Sequence, residues 1–508
     1  MMNSPLALFR DLFPFKPTRL ARKLAGSSTS LLKNLSGQPP LEVATSLTAR
    51  IIPLINEEPN LASRFERLEA ACQVAEQFLP TLENLVMQAD LPLPAEVANA
   101  AIHADNLLKS LAASYADVAR EVRQQPLNAE FNNLHHQSIL RAISTLARRQ
   151  FLAYRAYATP SATSWQMLHE LYRMACDPAA QALSEKTAPI EHEYLGALLL
   201  GYMEPGNLPR TELETIYTCT HQMAAYAAVG ELSKGMLSKA IESRFLVRTN
   251  EGNPGYPLTR LPVKTPLTGD LIIDCSQVLA AIDRNLSRPS DKPVQPNFNA
   301  PISLLQNMRA LIAGKATRRF SRTKFKPRAD LINGLDAVIS FINGNTFSRR
   351  SLDGICRHEA RAFVSNECSL VDEGPDSFRV KFVKGEKANI GVGDLIALQP
   401  RESSQVHICL VKRIASGTNR LELGLQLLSP QVSVVDITAA HAPSTRGLFL
   451  HSLPAYGKIS GLIVPPGKLT SGQKISFNTP GKILHRQIGK CIEANEGLEF
   501  VALDPLPD

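Results

Sequence analysis

The densest group of side chains able to bind an anion lies just past the middle of the chain, between Arg318 and Arg328. From Arg309 to Arg328 there are eight lysines and arginines and no acidic residue. Cationic side chains this close repel one another unless they are solvated or face an anion. Arginine makes bidentate contacts with phosphate and also stacks on bases. The segment is therefore either a phosphate-binding arm or a solvated linker between domains.

Other reactive side chains form no pattern typical of an enzyme. The sequence has no Walker loop, no G-x-G-x-x-G opening a helix and no G-x-S-x-G. His135 and His136 are adjacent, so on a helix their side chains point about 100° apart and are poorly placed to share a metal. Glu191-His192-Glu193 lacks the partner spacing of a zinc site. We therefore expect a protein that is not an enzyme and holds neither a metal nor a cofactor.

Composition predicts a globular protein of several domains in a reducing compartment. A chain of 508 residues with 44% hydrophobic and 20% charged residues is long enough for two to four cores. The net charge of +8 fits an anionic partner. Eight cysteines are spread singly, without a C-x-x-C pair, which is typical of reduced thiols in the cytoplasm. No apolar run approaches the eighteen residues of a membrane span.

The first 40 residues are basic and contain a single acid, Asp11. We interpret residues 1–40 as a disordered tail. Two alternatives remain open. Leu6, Phe9, Leu12 and Phe13 could form one face of a membrane-surface helix, and an organellar transit peptide has a similar composition.

Residues 41–286 are predicted to form a helical domain. Apolar residues recur at helical spacing over residues 95–124 and 129–158, and short connections between such helices favour antiparallel hairpins. Two short strands are expected at residues 245–248 and 270–274. Residues 287–308, with three prolines near their start, are predicted to be a linker.

The last third of the chain has the pattern of a small antiparallel β-barrel. From about residue 362, short strand-like segments alternate with turn residues such as Gly391–Asp394. We predict one barrel over residues 309–430, interrupted by an inserted helix at residues 335–342. Strands in residues 431–508 are predicted to complete or extend it. The fold class is therefore α+β and multidomain, with an all-α first half and an antiparallel barrel after it.

The arm and the barrel together resemble a PilZ domain, a bacterial receptor for cyclic di-GMP. Arg318-Arg319-Phe320-Ser321-Arg322 supplies the R-x-x-x-R element of that family. Asp372 to Ser377 resembles its D/N-x-S-x-x-G turn. The resemblance covers residues 309–430 and extends in outline to the long helical first half.

This resemblance implies a ligand and a role for each matching residue. Arg318 and Arg322 would clamp the phosphates of cyclic di-GMP, with Arg319 as an auxiliary. Asp372 would accept hydrogen bonds from the guanine N1–H and exocyclic amine. Gly374 and Ser377 would form the turn that lets the backbone approach the ligand.

The sequence also departs from the PilZ pattern. The serine and glycine of the turn have exchanged places, as Gly374 and Ser377. Asp376 adds an acid that would repel a phosphate. Fifty residues separate Arg322 from Asp372, about twice the spacing of a compact PilZ domain, and a second R-x-x-x-R begins at Arg357.

Three functions are compatible with these residues. The first is a bacterial, cytoplasmic cyclic di-GMP effector that signals to an unidentified protein partner through its helical region. The second is a protein-interaction scaffold whose barrel no longer binds nucleotide, which the altered turn favours. The third, binding of RNA or single-stranded DNA, is disfavoured because aromatic residues make up only 6% of the chain.

Overall fold

The computed structural model of the protein consists of two compact units. The first contains residues 1–89, 93–205 and 210–317, and the second contains residues 90–92, 206–209 and 318–508. The structure describes residues 35, 37–125, 129–177, 187–231, 242–260, 270–287, 297–314, 327–343, 366–384, 389–403, 405–417, 420–439, 443–451, 460–479 and 482–506. The predicted tail, residues 1–40, therefore lies almost wholly outside the described residues.

Helices dominate the first unit. A π-helical turn at Leu47–Ile51 joins the first two of them. The helices are α1 Pro40–Ser46, α2 Ile52–Asn56, α3 Leu61–Gln88, α4 Ala95–Arg123, α5 Ala129–Arg155, α6 Ala162–Ala175, α7 Ala188–Tyr202, α8 Arg210–Ala224, α9 Ser276–Leu286 and α10 Ile302–Ile312. The predicted helical region is confirmed.

Local sequence sets where these helices begin. Asn60 caps α3, because its side chain accepts a hydrogen bond from the Ser63 amide at 2.9 Å. Ser161 caps α6 in the same way. Pro94 precedes α4, where its fixed φ suits the entry to a helix.

The long helices pack side by side. α4 lies along both α3 and α5, and α3 also contacts α5. Small and aliphatic residues of α4 make this possible, since Ala104, Leu107, Leu111 and Ala112 are almost completely buried. The result is a layered helical core of the predicted hairpin type.

A four-stranded antiparallel sheet follows the helices within the same unit. Its strands are β1 Ala228–Glu231, β2 Arg244–Val247, β3 Tyr256–Pro257 and β4 Leu271–Asp274, in the order β1-β4-β2-β3. The two predicted strands are therefore the centre of a larger sheet. Helix α10 begins at Ile302, inside the predicted linker 287–308.

The second unit opens with a closed barrel of six antiparallel strands, ordered β10-β7-β6-β5-β8-β9. An α-helix, α11 Leu335–Ile342, follows the first strand at the predicted position. The strands are β5 Arg328–Asn333, β6 Asn366–Gly374, β7 Ser377–Lys384, β8 Leu395–Pro400, β9 His407–Gly417 and β10 Arg420–Ser429. The predicted antiparallel barrel is thus present.

The remaining strands close a second six-stranded barrel, ordered β11-β12-β13-β16-β15-β14. The sequence predicts these segments as a completion or extension of the first barrel, but in the structure they pair with one another. The strands are β11 Val432–Ala439, β12 Thr445–Leu450, β13 Gly461–Val464, β14 Lys474–Thr479, β15 Lys482–Ala494 and β16 Glu499–Asp504.

Helix α11 joins the two barrels through a shared apolar core. Val338 and Phe341 of α11 are fully buried and belong to one cluster with Leu395 of the first barrel and with Leu448 and Phe500 of the second. Polar contacts reinforce the junction at its edge. The Lys412 ammonium contacts Glu493 at 2.5 Å, and Asn495 Nδ2 donates to the Gly393 carbonyl at 2.8 Å. The two barrels are therefore one packed body.

Among the helices that the structure describes, none combines the length and the apolar content needed to cross a membrane.

Candidate functional sites

The predicted phosphate clamp lies outside the described residues. Arg318, Arg319 and Arg322 fall within residues 315–326, and the second R-x-x-x-R falls within residues 344–365. Their roles stay predictions from the sequence.

The other three predicted residues lie together at one β-hairpin. β6 ends at Gly374 and β7 begins at Ser377, and these two residues pair across the hairpin. Pro375 and Asp376 form the two-residue turn between them. The turn is also held by the neighbouring strand β10, because the Leu427 amide donates to the Asp376 carbonyl at 2.8 Å. We call this element, residues 372–379, the Asp372 hairpin.

Asp372 is buried and paired within the Asp372 hairpin. Alternate residues of β6 are buried, and Asp372 continues the row of Asn366, Cys368 and Leu370. The Arg379 Nε lies 2.8 Å from Asp372 Oδ2 across the hairpin. The Asp372 side chain is 8% exposed and that of Arg379 is 44% exposed. A ligand donor that reached this carboxylate would have to share it with Arg379 or displace that arginine.

Two titratable groups of the first barrel are neutral, His407 beside the hairpin and Cys368 farther along β6. The Phe378 and His407 rings are in contact, with centroids 5.1 Å apart. Burial lowers the pKa of His407, and burial raises the pKa of the Cys368 thiol to about 12. At neutral pH both groups are therefore uncharged, and neither adds charge to the Asp372–Arg379 pair.

A second candidate site lies in the helical unit. A cleft of about 600 Å³ opens between α3, α5 and α8. Three arginines seven residues apart, Arg141, Arg148 and Arg155, line it from α5. Because seven residues are about two helical turns, the three guanidinium groups share one face. We call this space the helical cleft.

Glutamates with the same spacing face these arginines. Glu69, Glu76 and Glu83 lie seven residues apart on α3, and Glu214 lies on α8. Together, the three arginines and four glutamates form what we call the Arg–Glu network.

Hydrogen bonds of the Arg–Glu network run the length of the cleft. Arg141 Nη2 donates to Glu69 Oε2 at 2.5 Å. Arg148 Nε donates to Glu83 Oε1 at 2.7 Å. Arg155 contacts Glu83 at 3.1 Å and donates to Glu214 Oε1 at 2.5 Å. Burial would lower the pKa of Arg148, but Glu83 and Glu76 together with Cys72 raise it by more, so Arg148 keeps its charge.

Aromatic stacking fixes the end of the network. The Arg155 guanidinium lies 4.3 Å from the centre of the Phe151 ring. Tyr217 stacks on Phe151 with centroids 4.1 Å apart and an interplanar angle of 11°. A guanidinium held over an aromatic ring gains further electrostatic stabilisation. Arg155 is therefore a rigid part of the wall.

The adjacent histidines are buried near the start of α5. The His135 and His136 rings are 6.0 Å apart at an interplanar angle of 84°, so they do not face one another. The Nε2 atoms of both rings are buried and have no hydrogen-bond partner among the described residues. Burial, then His136 and Arg123, lowers the pKa of His135 to about 4, so this ring is neutral at pH 7.

Sequence reasoning missed the Arg–Glu network, although a signal was present. Glutamates at 69, 76 and 83 and arginines at 141, 148 and 155 each repeat every seven residues on predicted helices. Matched spacing of opposite charges on two helices predicts that the two charged faces meet. The apolar periodicity from which the helices are predicted does not reveal this charge pattern.

Comparison with known proteins bears on the helical half. Residues 26–233 match the model of a family described as "Cyclic-di-GMP receptor FimW, N-terminal domain". The helical half is similar to a receptor domain. The matched stretch contains α1 to α8 and hence the whole Arg–Glu network, and it ends before the two barrels. The match supports a cyclic di-GMP receptor family. It does not test the PilZ resemblance, because the barrel lies outside the matched residues.

The other comparisons add no functional information. No curated protein matches the chain. Among solved structures, the insecticidal delta-endotoxin Cry8Ea1 from Bacillus thuringiensis aligns over 92% of this chain and 73% of that chain, at 10% identity and a TM-score of 0.17. A likeness this weak carries no argument about the fold.

Proposed function

We propose that this protein is a bacterial receptor for cyclic di-GMP that acts by binding rather than by catalysis. The observation that carries the proposal is the match of residues 26–233 to the N-terminal domain of a cyclic di-GMP receptor. The basic arm, the antiparallel barrel and the Asp372 hairpin support it independently, because they are the parts from which the PilZ resemblance was drawn.

In this proposal the nucleotide binds at the end of the first barrel. Arg318 and Arg322 pair with its phosphates, and Arg319 assists them. Asp372 accepts hydrogen bonds from the guanine N1–H and exocyclic amine, while Gly374 and Ser377 keep the turn close to the ligand. A guanine that takes over Asp372 releases the half-exposed Arg379. Arg379 then becomes a further phosphate partner. The exchange of partners at Asp372 would therefore help to bind both the guanine and the phosphates.

Signalling would follow from binding of the nucleotide by the arm. Nucleotide bound between arm and barrel favours one arrangement of residues 309–328, which is a population shift of a two-state element. The helical unit would pass this change to a protein partner. Because the eight cysteines are spread singly along the chain, we place the protein in the reducing conditions of the cytoplasm.

Isothermal titration with cyclic di-GMP tests the proposal. We expect micromolar or tighter binding by the full chain and its loss in the Arg318→Ala/Arg322→Ala variant. Lys324→Ala/Lys326→Ala is the matched control, since it removes the same charge from the same run and should keep most of the affinity. Absence of both heat and thermal shift, from chain shown to be folded, would overturn the receptor proposal.

The scaffold function is the second candidate, and two observations favour it. The turn has lost the serine and glycine positions of the PilZ pattern. Asp372 already has Arg379 as a partner. Folded protein that gives no response to the nucleotide, yet keeps a protein partner, would establish this second function.

A further inference from the structure

The helical cleft has the dimensions and the walls of a ligand site. Its volume of about 600 Å³ falls in the usual range for small-molecule pockets. Part of the lining is apolar, with Leu108 and Leu111 from α4 and Phe298 from the segment before α10. All members of the Arg–Glu network except Glu69 also line the cleft. A cleft lined by both apolar and charged side chains suits a ligand with a charged head and an apolar stem.

The arginine donors of the network are largely used within the protein. Arg148 donates from Nε and Nη2 to the two oxygens of Glu83, and Arg155 donates from Nε and Nη2 to Glu214. Arg155 Nη1 faces Glu83 at 3.1 Å. A phosphate entering the cleft would have to break these charge-assisted bonds.

Carboxylate oxygens of the network remain available. Glu69 accepts from Tyr115 and Arg141, and both oxygens of Glu83 accept from Arg148. In contrast, Glu214 Oε2 has no hydrogen-bond partner within the part of the chain that the structure describes. Glu76 comes no closer than 3.8 Å to Arg148, and its side chain is 47% exposed. Glu76 and Glu214 therefore have acceptor capacity that the arginines of the network leave unused.

One backbone group adds to this acceptor capacity, whereas the formal charges of the lining balance, with three glutamates and three arginines. Pro80 lies inside α3 and lines the cleft, and it has no N–H to donate to the Glu76 carbonyl one turn earlier. The two carboxylates with unused acceptor capacity, together with a carbonyl that lacks its usual helical donor, attract a hydrogen-bond donor that carries positive charge.

We propose that the helical cleft binds an organic cation, a guanidinium or ammonium group on an apolar stem. Glu76 receives the head group at the open side, and a rotation of the 38%-exposed Glu214 side chain turns Oε2 toward it. Leu108, Leu111 and Phe298 pack on the stem. Such a group could belong to a free amine or to an arginine side chain of a partner protein.

Titration of the full chain with two cationic probes tests this site. Agmatine represents the free amine, and N-acetyl-arginine amide represents an arginine of a protein. We expect Glu76→Gln to weaken binding about tenfold, since a charged hydrogen bond is lost. Ser144→Trp, which fills the cleft without changing its charge, should abolish binding. Glu66→Gln removes an acid from the same helix outside the cleft and should bind like the native chain.

The outcomes separate clearly. Binding of agmatine alone assigns a free amine, binding of N-acetyl-arginine amide alone assigns a protein side chain, and equal binding of both assigns the guanidinium group that the two probes share. Failure of both probes to bind folded protein overturns the proposal. So does binding that is unchanged in Glu76→Gln and Ser144→Trp, or inorganic phosphate that binds the native chain and is lost with Ser144→Trp. None of these results depends on where cyclic di-GMP binds.

Discussion

The Arg–Glu network of the helical unit and the Asp372–Arg379 pair of the first barrel use the same chemistry in different ways. In the network, Arg148 and Arg155 are 18% and 11% exposed, and both contact Glu83, which is 6% exposed. In the hairpin, one arginine that is 44% exposed faces one buried carboxylate. A network with several shared partners resists loss of any contact, whereas the half-exposed Arg379 can leave the carboxylate of Asp372 when another donor takes its place. The comparison indicates a structural network in the helices and an exchangeable pair in the barrel.

Removing Glu83 should give the largest effect. The Glu83→Gln variant leaves Arg148 and Arg155 buried with too few acceptors, so we expect a loss of about 3 kcal/mol in the free energy of unfolding. Urea unfolding followed by far-ultraviolet circular dichroism measures it, with Glu66→Gln as the control that should change by less than about 0.5 kcal/mol. If the two variants were equally stable, the Arg–Glu network would not be structural, and it would no longer differ from the Asp372–Arg379 pair in this respect.

Acid should weaken the helical unit more than the barrels. The pKa of His135 is about 4 in the folded chain and 6.5 ordinarily, so the unfolded chain takes up this proton first as the pH falls. The part of the folding free energy that is linked to neutral His135 is therefore fully present above about pH 6.5 and is lost as the pH falls toward 4. We expect a loss of about 1–2 kcal/mol between pH 7 and pH 5.

The variant His135→Leu tests this expectation. It removes the titrating ring while His136, Arg123 and Asp177 remain, so the fall in stability between pH 7 and pH 5 should become shallower by the same amount. An unchanged slope would show that another group causes the acid sensitivity.

The Asp372→Asn variant should have a smaller effect on stability. Arg379 is half-exposed and can turn to solvent, so we expect a loss of about 1 kcal/mol. Cyclic di-GMP affinity should nevertheless fall at least tenfold if Asp372 reads guanine. Titration and unfolding of the same protein separate the two effects. A loss as large as that of Glu83→Gln would mean that the hairpin pair is structural after all.

The smallest effect is expected at the edge of the barrel junction. Lys412 is 40% exposed and pairs with Glu493 between the two barrels. Replacing it in Lys412→Met keeps the apolar stem and should cost less than about 1 kcal/mol in unfolding measurements. A larger loss would make this exposed pair as important as the buried network.

Local patterns predicted much of the fold. Apolar spacing located α4 and α5 to within a few residues, and the α11 helix was predicted at its observed position. The alternation that predicted the barrel strands is a property of each segment by itself. Closure of a barrel depends instead on pairing between distant segments. For example, β11 pairs with β14 and β13 pairs with β16, across long stretches of chain. The second barrel was therefore beyond the sequence pattern.

The candidate sites were predicted less completely, for the same reason. The turn residues of the Asp372 hairpin are neighbours in sequence and were found together. The Arg379 partner of Asp372 was missed, since its position depends on the hairpin register and on a bulge between Leu370 and Asp372. The Arg–Glu network was missed because it joins residues of three helices.

Helix α11 imposes a shared constraint on the two barrels during evolution. Its buried side chains contact strands of both barrels, including β5 and β8 on one side and β11 and β12 on the other. A substitution at Phe341 or Val338 must therefore pack well in the cores of both barrels. A change that one core tolerates is still selected against if it destabilises the other. The sequences of the two barrels are expected to diverge in step around this helix and freely elsewhere.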